Sequence, residues 1–193
     1  MAVRKTAIVP RRTAALAAPA AGRLDVRKTY KLYIGGAFPR TESGRAYEIH
    51  GARGELLANA CRGTRKDIRD AVRAARTALP GWSAKTGFNR SQILYRIAEL
   101  MEGRRDQFIG EVMAAEGIGR QRATRLTDAA IDRWVWYAGW ADKFSQVNGS
   151  VNPVNGSYFN FSVPEPSGVV GVIAPEGSSL LGLVSRLAPV IVS

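Results

Sequence analysis

The chain has 193 residues, 46% of them hydrophobic, and is therefore long enough for one domain with a substantial core. Its single cysteine, Cys61, excludes an internal disulfide and is typical of a reducing compartment, and no apolar run approaches the roughly 20 residues of a membrane span. The net charge of +12 suggests nucleic-acid binding, but half of it lies in residues 1–28 and the rest in mixed-sign clusters, so we predict no specific nucleic-acid interface.

Residues 1–28 are rich in Ala, Arg and Pro and show little hydrophobic periodicity, which predicts a disordered basic tail. Seven of these residues are basic and only Asp25 is acidic, a composition that also fits a targeting or encapsulation peptide. The short apolar stretch within the tail is broken by Pro19 and does not match a secretory signal. We therefore expect a cytoplasmic protein.

The first elements after the tail are predicted to be short β-strands. Tyr30 to Phe38 alternates apolar side chains and contains Gly35-Gly36, a pair typical of a hairpin turn. Two more strands are predicted at Arg45 to Ile49 and at Glu55 to Cys61. The lone histidine, His50, lacks the partner pattern of a catalytic base and is interpreted as a strand residue.

Four helices are predicted before residue 145. Thr64 and Asp67 have the spacing of an N-terminal cap, and apolar residues follow at helical spacing at Ile68, Val72, Ala75 and Leu79. The next two helices have their apolar positions within residues 93–101 and 108–115. The fourth, Leu126 to Phe144, has one regular apolar face, with Trp136 and Trp140 on another, and this regular spacing favours core or subunit packing over a base-stacking surface.

The stretch Pro164 to Leu187 is interpreted as a strand, a tight turn and the start of a helix. Val169 to Ala174 is an apolar, β-branched run, which predicts a strand buried on both faces. Ser178 or Ser179 would cap the following helix. Such turns bind nucleotide phosphates in many α/β folds, because helix N–H groups point there. The alternative is a corner without a ligand, since no G-x-G-x-x-G or P-loop motif is present.

Several motifs resemble aldehyde dehydrogenases. GVVGVIAP at 168–175 and LAPV at 187–190 are similar to the start of that family's coenzyme domain, and residues 67–82 match its D-x-x-x-A-V-x-A-A-R-x-A-x-x-x-W helix. The resemblance covers residues 30–193 and looks closest to the divergent, double-domain branch. It implies an α/β fold in which an N-terminal hairpin and helices lead into the first βα unit of a Rossmann-like coenzyme domain, cut short at Ser193.

The resemblance also implies a coenzyme, NAD or NADP. In the family this strand and turn lie along the coenzyme, which places it against Ile173, Ala174, Pro175, Glu176 and Gly177. Where the family reads W-N-F-P, with an Asn that stabilises the oxyanion, this chain reads Glu-Gly-Ser-Ser, and the Asn position is Gly177. Loss of one oxyanion donor lowers kcat by roughly a hundred- to a thousandfold.

No catalytic residue and no metal site is assigned to this chain. The family's nucleophilic Cys and general-base Glu lie beyond the position of Ser193. Cys61 precedes the first long helix, whereas the family's nucleophile follows the coenzyme-binding strand, so Cys61 is interpreted as a small buried residue. We therefore expect the 193-residue chain alone to be inactive.

The resemblance implies the N-terminal part, residues 29–193, of an NAD(P)-dependent oxidoreductase that oxidises a small-molecule aldehyde to a carboxylic acid. In the family a strand near 157–164 belongs to an arm that adds to a neighbouring subunit, so we expect a homo-oligomer formed through Tyr158 to Val163. The alternative is a non-catalytic, aldehyde dehydrogenase-like scaffold or interaction module, which the replacement at 176–179 favours. The aldehyde and the choice between NAD and NADP stay open.

Overall fold

The computed structural model describes residues 26–193, and the predicted tail lies outside the described residues up to Asp25. Two small sheets and a group of helices make up an α/β structure. The strands are β1 (Thr29–Tyr30), β2 (Ala46–His50), β3 (Leu56–Cys61), β4 (Ser150–Val151) and β5 (Phe161–Ser162). The helices are α1 (Arg65–Ser83), α2 (Gly87–Glu102), α3 (Arg105–Glu116), α4 (Arg120–Ala138), α5 (Phe144–Asn148) and α6 (Ser179–Val192).

The first sheet has the strand order β1-β3-β2, with β3 parallel to β1 and antiparallel to β2. The strands β2 and β3 confirm the prediction to within a residue. The turn predicted at Gly35-Gly36 is also confirmed, because both glycines have positive φ angles, 59° and 80°, and Ile34 pairs with Ala37 across them. The strand before this turn is much shorter than the prediction, because only Thr29 and Tyr30 pair with β3.

The residues His50 and Cys61 end the two longer strands of this sheet. His50 is exposed, and its ring nitrogens lie 3.1 Å from Glu48 Oε2 and 3.2 Å from the Gly54 carbonyl. Cys61 is partly rather than fully buried. The strand position predicted for His50 is confirmed. The full burial predicted for Cys61 is wrong, because Cys61 is the last residue of β3 and only β2 pairs with it.

A capping box opens α1, as predicted. The Thr64 hydroxyl and its backbone N–H both lie within hydrogen-bond distance of Asp67 Oδ2, at 2.8 and 2.7 Å, and the Thr41 hydroxyl donates to the same oxygen at 2.6 Å. The bonds from Thr41 and Thr64 lower the pKa of Asp67 to about 2. The apolar face of α1 is not covered as predicted, because no residue of this helix is buried and Ile68 is exposed.

The core is organised around α4, which packs against α2, α3 and α6. The predicted apolar face is confirmed, with Ala130 and Trp134 buried, while Trp136 on the other face is exposed. The helix ends at Ala138 rather than at Phe144, because Gly139 and a turn interrupt it before the short α5 begins. Arg105 and Asp128 join α3 to α4 through two hydrogen bonds of 2.7 and 2.8 Å.

The segment between β5 and α6 differs most from the prediction. Residues 169–174 form no strand, and Val169, Val170 and Ile173 are exposed. A parallel strand requires hydrogen-bonded neighbours, and no strand within residues 26–193 lies beside this segment. The helix α6 that follows is confirmed, with Ser178 as its N-cap. Within residues 26–193, every helix is too short or too polar to cross a bilayer.

Candidate functional site

The five residues predicted to contact the coenzyme lie together on an exposed ridge that leads into α6. Ile173 is 85% exposed, and of the remaining four only Pro175 is partly buried. No atom lies within 4 Å of the place that a Cβ would take at Gly177. The ridge therefore offers open backbone and an apolar side chain to a ligand, and it has room for a side chain at 177.

The turn at 175–178 is folded onto the first turn of α6. Ser178 Oγ accepts a hydrogen bond of 3.1 Å from the Gly182 backbone N–H, so this serine caps the helix. The Pro175 ring lies against Gly182 so closely that a Cβ at 182 would be 2.4 Å from Pro175 Cγ. Gly182 therefore allows a close approach that no other residue type permits without movement of Pro175.

A carboxylate from another helix binds the N-terminus of α6. Glu116, the last residue of α3, accepts hydrogen bonds at its Oε1 from the Ser179 backbone N–H, at 3.0 Å, and from the Ser179 hydroxyl, at 2.7 Å. A negative charge is favourable there because of the helix dipole. A phosphate was one hypothesis for this helix N-terminus. A phosphate there would have to compete with the Glu116 carboxylate for the donors of Ser179.

Sequence reasoning missed Glu116. The residues Glu116 and Ser179 are 63 positions apart, and no spacing rule connects them. One signal was present, because Ser179 stands where the family pattern W-N-F-P has its proline. A proline has no N–H, whereas a serine brings an N–H and a hydroxyl that need acceptors.

A cleft of about 500 Å³ lies on another part of the molecule. It does not include any of the five predicted coenzyme residues. Its lining comes from α1, α2, α5, α6 and the segment after β5, and includes Trp82, Arg90, Phe144, Glu165, Val170 and Pro189. The described residues 26–193 contain no group of three His, Cys, Asp or Glu side chains that is arranged to hold a metal.

Comparison with known proteins decides the family. The family model described as aldehyde dehydrogenase family matches residues 39–193. The chain belongs to the aldehyde dehydrogenase family. The resemblance and the fold class that were inferred from the motifs are thereby confirmed, while the assignment to a double-domain branch stays a prediction.

The matched relatives are much longer than this chain. Human retinal dehydrogenase 2 is 32% identical over 173 residues, which are 86% of this chain and 32% of that protein. The Arabidopsis thaliana aldehyde dehydrogenase family 2 member B4, mitochondrial, is 32% identical over 163 residues, or 82% of this chain and 30% of that one. The chain therefore spans about a third of the length of the aldehyde dehydrogenases it matches.

Solved structures agree with the fold. The HpcC protein from Thermus thermophilus superposes with a TM-score of 0.78 and 27% identity, over 83% of this chain and 31% of that one. The NAD+ complex of the aldehyde dehydrogenase from Bacillus cereus gives a TM-score of 0.79 and 28% identity, over 85% and 34% of the two chains. The α/β architecture described above is therefore that of the N-terminal part of an aldehyde dehydrogenase.

Proposed function

We propose that this chain forms the N-terminal part of an NAD(P)-dependent oxidoreductase that converts aldehydes to carboxylic acids. The observation that carries the proposal is the family match over residues 39–193, which includes the exposed ridge. A structural neighbour from Bacillus cereus is itself an NAD+ complex, and the human relative is a retinal dehydrogenase. NAD or NADP is thus the coenzyme that we propose, and an aldehyde is the substrate.

The residues 173–177 fit the nicotinamide half of such a coenzyme. The exposed side chain of Ile173 offers apolar surface to an aromatic ring, and the open space at Gly177 leaves the backbone accessible. The coenzyme, when bound, would supply the hydride acceptor. The role of Ile173, Ala174, Pro175, Glu176 and Gly177 would be to bind and orient it. The α6 N-terminus does not fit a coenzyme phosphate, because Glu116 already binds there.

We propose that the chemistry on the aldehyde depends on residues outside this chain. Cys61 and His50 lie at the ends of two strands. Both ring nitrogens of His50 contact Glu48 or the Gly54 carbonyl, so neither of them is placed to activate the Cys61 thiol. The 193-residue chain should accordingly form no NADH or NADPH with an aldehyde. Robust turnover by the purified chain would contradict this assignment.

The strand β5 and its flanks are the proposed subunit contact. Tyr158 and Phe159 are 79% and 75% exposed, and Phe161 and Val163 are exposed as well. An edge strand that carries exposed aromatic residues can add to a sheet of a second copy through its free N–H and C=O groups. We expect Phe161→Asp to lower the oligomeric state in analytical ultracentrifugation, whereas Val147→Asp on α5, also exposed, should leave it unchanged.

The second candidate function is a non-catalytic scaffold. It is favoured by the sequence Glu-Gly-Ser-Ser at 176–179, which puts a carboxylate on the ridge and removes the side-chain donor of the family pattern. Calorimetry with NAD+ and NADP+ on the complete gene product that contains this chain distinguishes the two. Micromolar binding of either coenzyme supports the oxidoreductase, and absence of binding by a folded protein supports the scaffold.

The location in the cell is also a proposal. We propose a cytoplasmic protein, because the tail does not match a secretory signal. In the alternative case residues 1–28, which are rich in Arg and poor in acidic residues, are a targeting or encapsulation peptide. Localisation of the complete gene product with and without residues 1–28 tests both, because only a targeting peptide changes the location when it is removed.

A further inference from the structure

The residue Ser179 creates a requirement that the family's usual sequence does not have. It is the first residue of α6, where backbone N–H groups lack partners within the helix. The family pattern W-N-F-P places a proline here, and a proline at this position has no N–H to satisfy. With serine, an N–H and a hydroxyl at the edge of the coenzyme ridge need an acceptor.

The side chain of Glu116 meets this requirement with one oxygen. Both Ser179 donors reach Oε1, at 3.0 and 2.7 Å, and hydrogen bonds to a carboxylate are stronger than neutral ones. Glu116 is well anchored for this purpose. It ends α3, whose Ile109 and Val112 are buried, and the chain turns away immediately at Gly117, which has a φ of 65°.

The start of α6 is also packed against the core formed by α3 and α4. Leu180, the residue after Ser179, lies against the buried cluster of Ile109, Val112 and Ala123. The other end of the turn is held by the contact between Pro175 and Gly182. The four residues between these two contacts, 176–179, are those in which this chain departs from the family pattern.

The geometry points to Glu116 as a positioning residue for coenzyme binding: by holding Ser179 it fixes the turn that carries Glu176 and Gly177. This inference rests on the proposed function of the ridge. Glu116 does not touch the coenzyme. It acts through Ser179, and it takes over in this chain the conformational restraint that a proline would provide at position 179.

The test uses the complete gene product and measures the dissociation constant of NAD+ and NADP+ together with kcat. Glu116→Ala removes both hydrogen bonds to Ser179 and frees the turn. We expect it to weaken coenzyme binding about tenfold, while kcat with saturating coenzyme changes much less. Glu102→Ala is the matched control, because Glu102 ends α2 as Glu116 ends α3, and its carboxylate interacts with Arg105 rather than with the turn before α6. It should bind coenzyme as the unaltered protein does.

A double variant separates positioning from a general effect on stability. Ser179→Pro removes the N–H and the hydroxyl and restores the residue type of the family pattern, so Glu116 no longer has a donor to bind at position 179. In this background Glu116→Ala should have no further effect on coenzyme binding. If Glu116→Ala weakens binding equally with serine and with proline at 179, or in neither case, the positioning role is wrong.

Hydrogen exchange at the Ser179 amide provides a readout that does not depend on the coenzyme. Exchange should be slowed in the unaltered protein and in Glu102→Ala, and fast in Glu116→Ala. Failure of the proposed function looks different from failure of this inference. A protein that protects Ser179 but binds no NAD(P) overturns both the oxidoreductase and the positioning role, whereas a protein that binds coenzyme equally well with Ala at 116 overturns the positioning role alone.

Discussion

Two glycines inside helices should respond in opposite directions to the same substitution. Gly110 in α3 has nothing within 4 Å of the place of a Cβ, so Gly110→Ala only adds helix propensity and should stabilise the protein by about 1 kcal/mol. Gly182 in α6 lies beneath Pro175, whose Cγ would be 2.4 Å from the new Cβ. Because a proline ring cannot rotate away, the turn itself must move.

The expected cost of Gly182→Ala follows from these contacts. Overpacking costs about 1 to 3 kcal/mol, and the gain in helix propensity offsets about 1 kcal/mol of it, so we expect a net loss of up to about 2 kcal/mol. Urea unfolding of both variants, followed by circular dichroism, measures the difference. A Gly182→Ala variant as stable as Gly110→Ala would refute the close contact between Pro175 and α6.

Three further predictions concern the core, acid stability and the turn. The Thr127 hydroxyl is fully buried and has no hydrogen-bond partner among residues 26–193, so Thr127→Val should raise the free energy of unfolding by about 1 kcal/mol. The control is Thr77→Val, which replaces an exposed hydroxyl bonded to the Arg73 carbonyl and should bring no such gain. A loss of stability at 127 contradicts this. The pKa of Asp67 is lowered to about 2, so its ionised form stabilises the fold above the usual carboxyl pKa, and this stabilisation is lost as the pH falls toward 2. Asp67→Asn should therefore be less stable at neutral pH and lose less stability on acidification, as thermal melts at several pH values would show; parallel pH profiles contradict it. Finally, Gly177→Asn has open space for its side chain and should raise kcat of an active gene product, by up to about a hundredfold if no other group donates to the oxyanion; an unchanged or lower kcat argues that another donor has this role.

Local signals in the sequence predicted the elements whose structure is decided locally. The capping box of Thr64 and Asp67, the glycine turn at 35–36 and the serine cap of α6 each involve residues that are close in the chain, and all three are present. The apolar face of α4 was predictable for the same reason, since its helical period alone selects the buried residues.

The features that sequence reasoning missed depend on contacts between distant residues. Residues 169–174 have the composition of a buried strand, but a ladder also needs a neighbouring strand, and none within residues 26–193 is beside them. The bond between Glu116 and Ser179 joins the end of α3 to the start of α6, and the packing of these helices on α4 and on each other brings the two residues together. The serine at 179 indicates that an N–H and a hydroxyl there require an acceptor, and the fold determines that this acceptor is Glu116.

We have proposed that this chain is part of an NAD(P)-dependent aldehyde-oxidising enzyme. The most direct test is aldehyde-dependent formation of NADH or NADPH by the complete gene product, measured beside the 193-residue chain over a panel of aliphatic and aromatic aldehydes. We expect turnover by the complete gene product and none by the 193-residue chain. A folded gene product that binds no coenzyme and reduces none with any aldehyde would contradict it and favour the scaffold.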